Sequence, residues 1–131
     1  MINFNKDSIF NLHPIDLSKV HNEAKGLLIE GEEIIAAFKT VRDQQVFTNK
    51  RIISIDIQGI TGMRRSFSSL PYSKIQFFGI QTAGFLEIVP DAELMLTFAN
   101  GTQACFDFRG NVDIGMLGRV ISDYVLNDRK N

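Results

Sequence analysis

The sequence predicts a mainly β single domain. Short antiparallel strands form a sandwich or partly open barrel, with a helix before them and a C-terminal helix closing them. Three observations carry this reading. Apolar residues alternate with polar ones from about residue 33 to 108, the period of half-buried strands. Asn100-Gly101, between two such runs, is a strong hairpin signal because both residue types tolerate positive φ. At both ends the apolar spacing changes to three and four, the period of an amphipathic helix.

An arm and helix occupy about residues 1–31. Pro14 and Asp16 mark the helix start, and Leu17, Val20, Ala24, Leu27 and Leu28 form its stripe. Gly26 interrupts or ends it, and Glu30, Glu32 and Glu33 read as a solvated connection around Gly31. The first strand carries Ile34, Ala36 and Phe38 against Ile35, Ala37 and Lys39. After a turn at Arg42-Asp43, Gln44 to Thr48 is the second strand. Asn49-Lys50 turns into Arg51 to Ile57, and Gly59 and Gly62 punctuate the next loop. Arg64 to Leu70 follows, stopped by Pro71, then Ile75 to Thr82 with a bulge or bend expected at Gly79.

A loop holding Gly84, Pro90 and Asp91 leads to Glu93–Ala99 and Thr102–Phe108. Leu94, Leu96 and Phe98 on one arm, and Ala104, Phe106 and Phe108 on the other, face the core. Gly110 ends the strands. Asn111 or Asp113 caps a helix over about 112–127, with Ile114, Leu117, Ile121, Tyr124 and Val125 on one face. A polar tail follows from Asn127. The sum is helix, seven strands, helix.

The 131 residues suffice for one core, and 44% apolar with 22% charged residues is an ordinary globular balance. A formal charge of -1, from 14 basic and 15 acidic residues, argues against a nucleic-acid partner, which needs a basic excess. One cysteine, Cys105, excludes an internal disulfide framework. The N-terminal segment lacks the pattern of a signal peptide, and no stretch approaches the roughly 20 apolar residues of a membrane span. A cytoplasmic location is the expectation.

Three segments occur in a fixed order: Val46-Phe47-Thr48-Asn49-Lys50-Arg51-Ile52-Ile53, then Asp56-Ile57-Gln58-Gly59-Ile60-Thr61-Gly62, then Ser69-Leu70-Pro71-Tyr72-Ser73-Lys74-Ile75. Together with Gln81-Thr82-Ala83-Gly84 they resemble the bacterial pleckstrin-homology-like family, over roughly Leu27 to Leu126. Gln81 stands where an acid is common. The resemblance implies a seven-stranded, partly open antiparallel barrel capped by the C-terminal helix. It also implies no catalytic activity, no cofactor, and protomers joined side by side into closed rings, often pentamers, with a polar patch where strands of neighbours meet.

Residue by residue, chemistry is sparse. His13 and His21 have no third ligand at metal-binding spacing. Cys105 lies in an alternating strand without a partner histidine, and reads as a packed thiol. Gly59-Ile60-Thr61-Gly62 lacks the lysine and following helix of a phosphate loop. The loop Val41-Arg42-Asp43 pairs one cation with one anion, so the basic cluster of a phosphoinositide site is missing. Lys50-Arg51 and Arg64-Arg65 are the basic doublets ahead of the polar tail; weak contact with anionic lipid through them is the second reading, and an apolar-ligand carrier using the phenylalanines the third.

Ile34/Ile35, Ile52/Ile53 and Phe77/Phe78 put apolar residues on both faces of a strand. The second face needs the N-terminal helix, a neighbouring copy, or both. Ile35, Ile52 and Phe78 are therefore the candidates for a contact between protomers. Arg64, Arg65, Gln81 and Thr82 are the candidates for a surface presented to a protein partner, whose identity the sequence does not give. The leading expectation is a non-catalytic interaction module working as a cyclic homo-oligomer.

Overall fold

Alternation along the central segment produces one curled, eight-stranded sheet. A computed structural model describes residues 8–82 and 88–127 of the chain. The strands are β1 (Ser8–Pro14), β2 (Ile34–Lys39), β3 (Gln44–Thr48), β4 (Arg51–Gln58), β5 (Arg64–Pro71), β6 (Ile75–Thr82), β7 (Ile88–Phe98) and β8 (Gln103–Asp113). Their order across the sheet is β5-β4-β3-β2-β1-β8-β7-β6, so the sheet opens between β5 and β6. A 3₁₀ turn, Tyr72–Lys74, connects those two strands, and helix α2 (Ile114–Leu126) contacts that turn, β6 and β7.

The eighth strand corrects the expected count. β1 runs parallel to β8 and antiparallel to β2, joining two halves that would otherwise be separate. Its irregular register between Ile9 and Leu12, with Asn11 at φ 60°, breaks the period-two pattern, so alternation alone does not mark it.

The long N-terminal helix is corrected too. Asp16 does start a helical turn, accepting the Ser18 N–H at 3.0 Å, but the 3₁₀ turn ends at Lys19. Val20 is extended, and α1 covers only Asn22–Lys25. The Gln44 side chain holds the break open. Its Oε1 accepts the His21 N–H (3.1 Å), and its Nε2 donates to the Lys19 carbonyl (3.1 Å).

Period two sends alternate side chains to opposite faces, and along β2–β4 both faces are covered. One face lines the barrel, where Phe38, Phe47, Phe106 and Phe108 pack with centroids 4.6–6.4 Å apart. Leu94, Leu96 and Phe98 join them, as do Ile114, Leu117 and Ile121 of α2, whose first turn Asp113 caps. The other face of β2–β4 carries Ala37, Val46, Ile53 and Ile55 into a second cluster beneath Val20 and Ala24. A Cβ on Gly118 would lie 2.6 Å from Ile80 Cδ1, so that glycine lets α2 approach β6.

Three local expectations change. Pro90 and Asp91 belong to β7, whose pairing with β8 continues past an irregularity between Val89 and Asp91. Gly110, at φ 82°, lies within β8 and does not end it. Gly79 pairs regularly with Met95, and the irregularity of β6 falls between Ile75 and Phe77. At the Asn100-Gly101 hairpin only Gly101 takes positive φ (89°), and the Asn100 side chain accepts the Thr102 N–H. Gly84, the arm before Ser8 and the tail beyond Asn127 lie outside the described residues.

Candidate interaction surfaces

The three segments that carry the resemblance turn out to be structural joints. At the β3–β4 turn, Thr48 Oγ1 accepts the N–H groups of Lys50 and Arg51, both at 3.0 Å, and donates to Glu32 Oε2 at 2.7 Å. Arg51 grips the same carboxylate, Nε to Oε2 at 2.9 Å and Nη2 to Oε1 at 3.0 Å. It also donates to the Leu27 carbonyl and to Ser69 Oγ. Tyr72 Oη donates to the Thr48 carbonyl at 2.8 Å.

Glu32 is therefore buried, a correction to the expected solvated connection. Burial pushes its pKa up, but hydrogen bonds from Arg51, Thr48 and the Ile29 N–H, with the Arg51 charge, outweigh that and leave it lowered. For the Tyr72 phenol, burial first and the Glu32 charge second raise the pKa.

The opposite end of the same strands holds the β2–β3 and β4–β5 loops. Arg42 Nη2 donates to the Gly59 carbonyl at 2.7 Å, and Asp43 Oδ1 accepts the Ile57 N–H at 2.9 Å, locking the loops together. Gly59 and Gly62 supply the positive φ of the β4–β5 turn. At the tips Val41 is 97% exposed, Ile60 fully and Met63 81%.

The predicted partner-facing residues sit on the two strands that bound the sheet. Arg64 and Arg65 open β5, opposite Gln58 and Ile57 of β4. Arg65 is tied to α1 by both oxygens of Glu23, at 3.0 and 3.2 Å. Gln81 and Thr82 close β6, opposite Glu93 and Ala92 of β7. Among the described residues no ladder joins the two pairs within one chain.

Among the protomer-contact candidates, Ile52 is corrected. It is fully buried in the barrel and has no surface to offer a neighbour. Ile35 and Phe78 are half-buried against the same core. Phe77, 54% exposed on β6, is the residue of that pair that faces outward.

Cys105 is half-buried on β8, opposite Met95. Among the described residues no group of three His, Cys, Asp or Glu side chains is placed to hold a metal ion, and no helix is long and apolar enough to cross a membrane.

Compared with known proteins, residues 3–125 match the family model for the bacterial PH (pleckstrin-homology) domain. The uncharacterised protein YjqA of Bacillus subtilis (strain 168) is 35% identical over 112 residues, 86% of this chain and 90% of that protein. YozO of the same organism, also uncharacterised, is 35% identical over 102 residues, 77% and 85% of the two chains. Among solved structures, a DUF1696 family protein with a pleckstrin-homology domain from Shewanella loihica PV-4 matches with TM-score 0.65 and 30% identity, covering 88% of this chain and 97% of that one. A pleckstrin homology domain from Shewanella amazonensis SB2B matches with TM-score 0.54 and 38% identity, over 81% and 86%.

Proposed function

The chain belongs to the bacterial PH domain family, and from that premise we propose that it is a non-catalytic interaction module whose working unit is a cyclic homo-oligomer. One observation carries the proposal: the sheet stops at two strands that, among the described residues, pair on one side only. Unpaired edges are templates for further strand pairing unless blocked. β5 and β6 are both eight residues long. Their outward chemistry differs, with Ser66, Ser68 and Ser69 exposed on β5 and Gln76 and Phe77 exposed on β6. Pairing of β6 with a neighbour's β5 is head-to-tail, and such contacts give a ring when the rotation closes.

Antiparallel pairing in full register would set Arg64 and Arg65 of one copy beside Thr82 and Gln81 of the next. The patch expected from the sequence would then exist only in the assembly, spanning each joint. A protein partner bound there would recognise the ring and not the single chain. Arg64 is the residue to test, because Arg65 already holds Glu23.

The second reading, lipid adsorption through the basic doublets, loses ground. Arg51 is committed to Glu32 and Arg65 to Glu23, leaving one cation from each doublet. The third, an apolar carrier, conflicts with a barrel interior filled by contacting rings.

Phe77→Lys puts a charge on the β6 edge without touching the core. The expected outcome is a folded monomer by circular dichroism and sedimentation, where the parent chain sediments as an assembly. An assembly of unchanged mass in the variant contradicts edge pairing.

A further inference from the structure

A polar layer inside a small barrel needs a reason, because a buried polar atom without a partner costs free energy that an apolar one does not. In the core cluster that α2 completes, the lining is apolar. Leu70, Ile52 and Phe47 lie side by side there on β5, β4 and β3. Two residues nearer the β2–β3 and β4–β5 loops, the same strands carry Ser68, Ser54 and Gln45, again side by side. Alternation puts these on the lining face, with Asp56 following Ser54 along β4. Phe38 lies beside Gln45 and meets Phe108 with ring centroids 4.6 Å apart. Phe108, Ala92 and Thr82 carry the layer across β8, β7 and β6 to the other side of the sheet opening.

Gln45 is 2% exposed and Ser54 4%. Even so, Gln45 Oε1 and Thr82 Oγ1 are buried with no hydrogen-bond partner, which native interiors rarely tolerate. Asp56 is buried on the same wall, where it accepts from Gln58 Nε2 at 2.8 Å. Ser66 and Ser68 share the lining face of β5 with buried Leu70 but are exposed. Solvent therefore reaches this layer through the opening between β5 and β6.

We propose that the polar mouth of the barrel binds a protonated primary amine. Gln45 Oε1 and the Asp56 carboxylate receive its N–H groups on one wall, and Thr82 Oγ1 does so from the other. An alkylammonium brings three donors and no acceptor, which suits these oxygens. The Asp56 charge favours a cation over a neutral alcohol and opposes a carboxylate or phosphate. Among the described residues of this layer none is basic, and Arg64, on the same face of β5, is exposed at the start of that strand. Phe38 and Phe108 supply apolar surface for the alkyl chain. The site lies within one chain, so it stands whether or not protomers pair.

Amide NMR titration of the full chain with n-butylamine at pH 7, where the amine is protonated, tests the site, with n-butanol as the neutral control. Saturable shifts are expected at Gln45, Ser54, Asp56 and Thr82, with a Kd of about 1 mM for so small a ligand. The alcohol should bind about tenfold more weakly, lacking the charge. Gln45→Leu and Thr82→Val should each weaken amine binding about tenfold without lowering the thermal midpoint, since each removes a buried oxygen that has no partner to lose. Asp56→Asn should erase the preference for amine over alcohol. No saturable shift, shifts centred outside this layer, equal affinity for n-butanol, undiminished binding in Thr82→Val, or a preference for the amine retained in Asp56→Asn would each overturn the proposal.

Discussion

The two ends of the β2–β5 hairpins are both closed by short strand connections and behave oppositely. At the β3–β4 end, polar groups are drawn inward around Glu32, Thr48, Arg51 and Tyr72, and donors are matched to acceptors. At the β2–β3 and β4–β5 end, Val41, Ile60 and Met63 are turned outward. A buried ion pair with its hydrogen bonds complete is a fixture, because removing either partner leaves a charge stranded. Exposed hydrocarbon has no such role in folding. The difference teaches that one end of these strands is fixed by a buried polar network built on the Thr48–Arg51 and Tyr72 segments, while the other leaves hydrocarbon in solvent.

Breaking the polar end should have the largest effect. Glu32→Ala strands the Arg51 guanidinium and frees the Thr48 hydroxyl, and should cost about 3 kcal/mol in urea denaturation. Acid should act on the same contact. The Glu32 pKa is lowered on folding, so its contribution is fully present above the ordinary value of 4.5 and is lost as pH falls through the lowered folded value. The acid limb of the stability curve should be shallower in Glu32→Gln than in the parent chain.

Gln44→Ala should come next. It removes two hydrogen bonds that hold the 3₁₀ turn and α1 over the second apolar cluster. The expected loss is about 1–2 kcal/mol, with faster amide exchange in residues 16–26. Tyr72→Phe deletes one buried hydrogen bond to the Thr48 carbonyl and should cost about 1 kcal/mol. The smallest effect belongs to the other end. Val41→Ser and Ile60→Ser should each change stability by no more than about 0.5 kcal/mol. A larger loss would show that the tips are part of the fold, erasing the contrast between the ends.

Much of the fold is legible in the sequence, and the failures have physical causes. Seven strands and α2 follow from alternation and from Asp113, because their side chains divide between two packed faces. β1 is hidden because Asn11 in the left-handed region breaks its register. The N-terminal stripe has the spacing of one helix, yet only Val20 and Ala24 are buried, while Leu17 and Leu27 lie exposed beside the break that Gln44 holds. Nothing local marks a glutamine 23 positions beyond His21 as the reason.

Glu32 reads as solvated because its partners, Thr48 and Arg51, lie 16 and 19 positions away. The loop tips leave a fainter trace. Val41 beside a turn and Ile60 between two glycines are apolar where turns favour polar residues, and that oddity is present in the sequence itself.

Light scattering of the purified 131-residue chain across a tenfold dilution tests the central claim most directly. The account predicts one closed assembly whose mass is a fixed multiple of 14.8 kDa. A 14.8 kDa particle throughout, or masses that climb continuously with concentration, would contradict it.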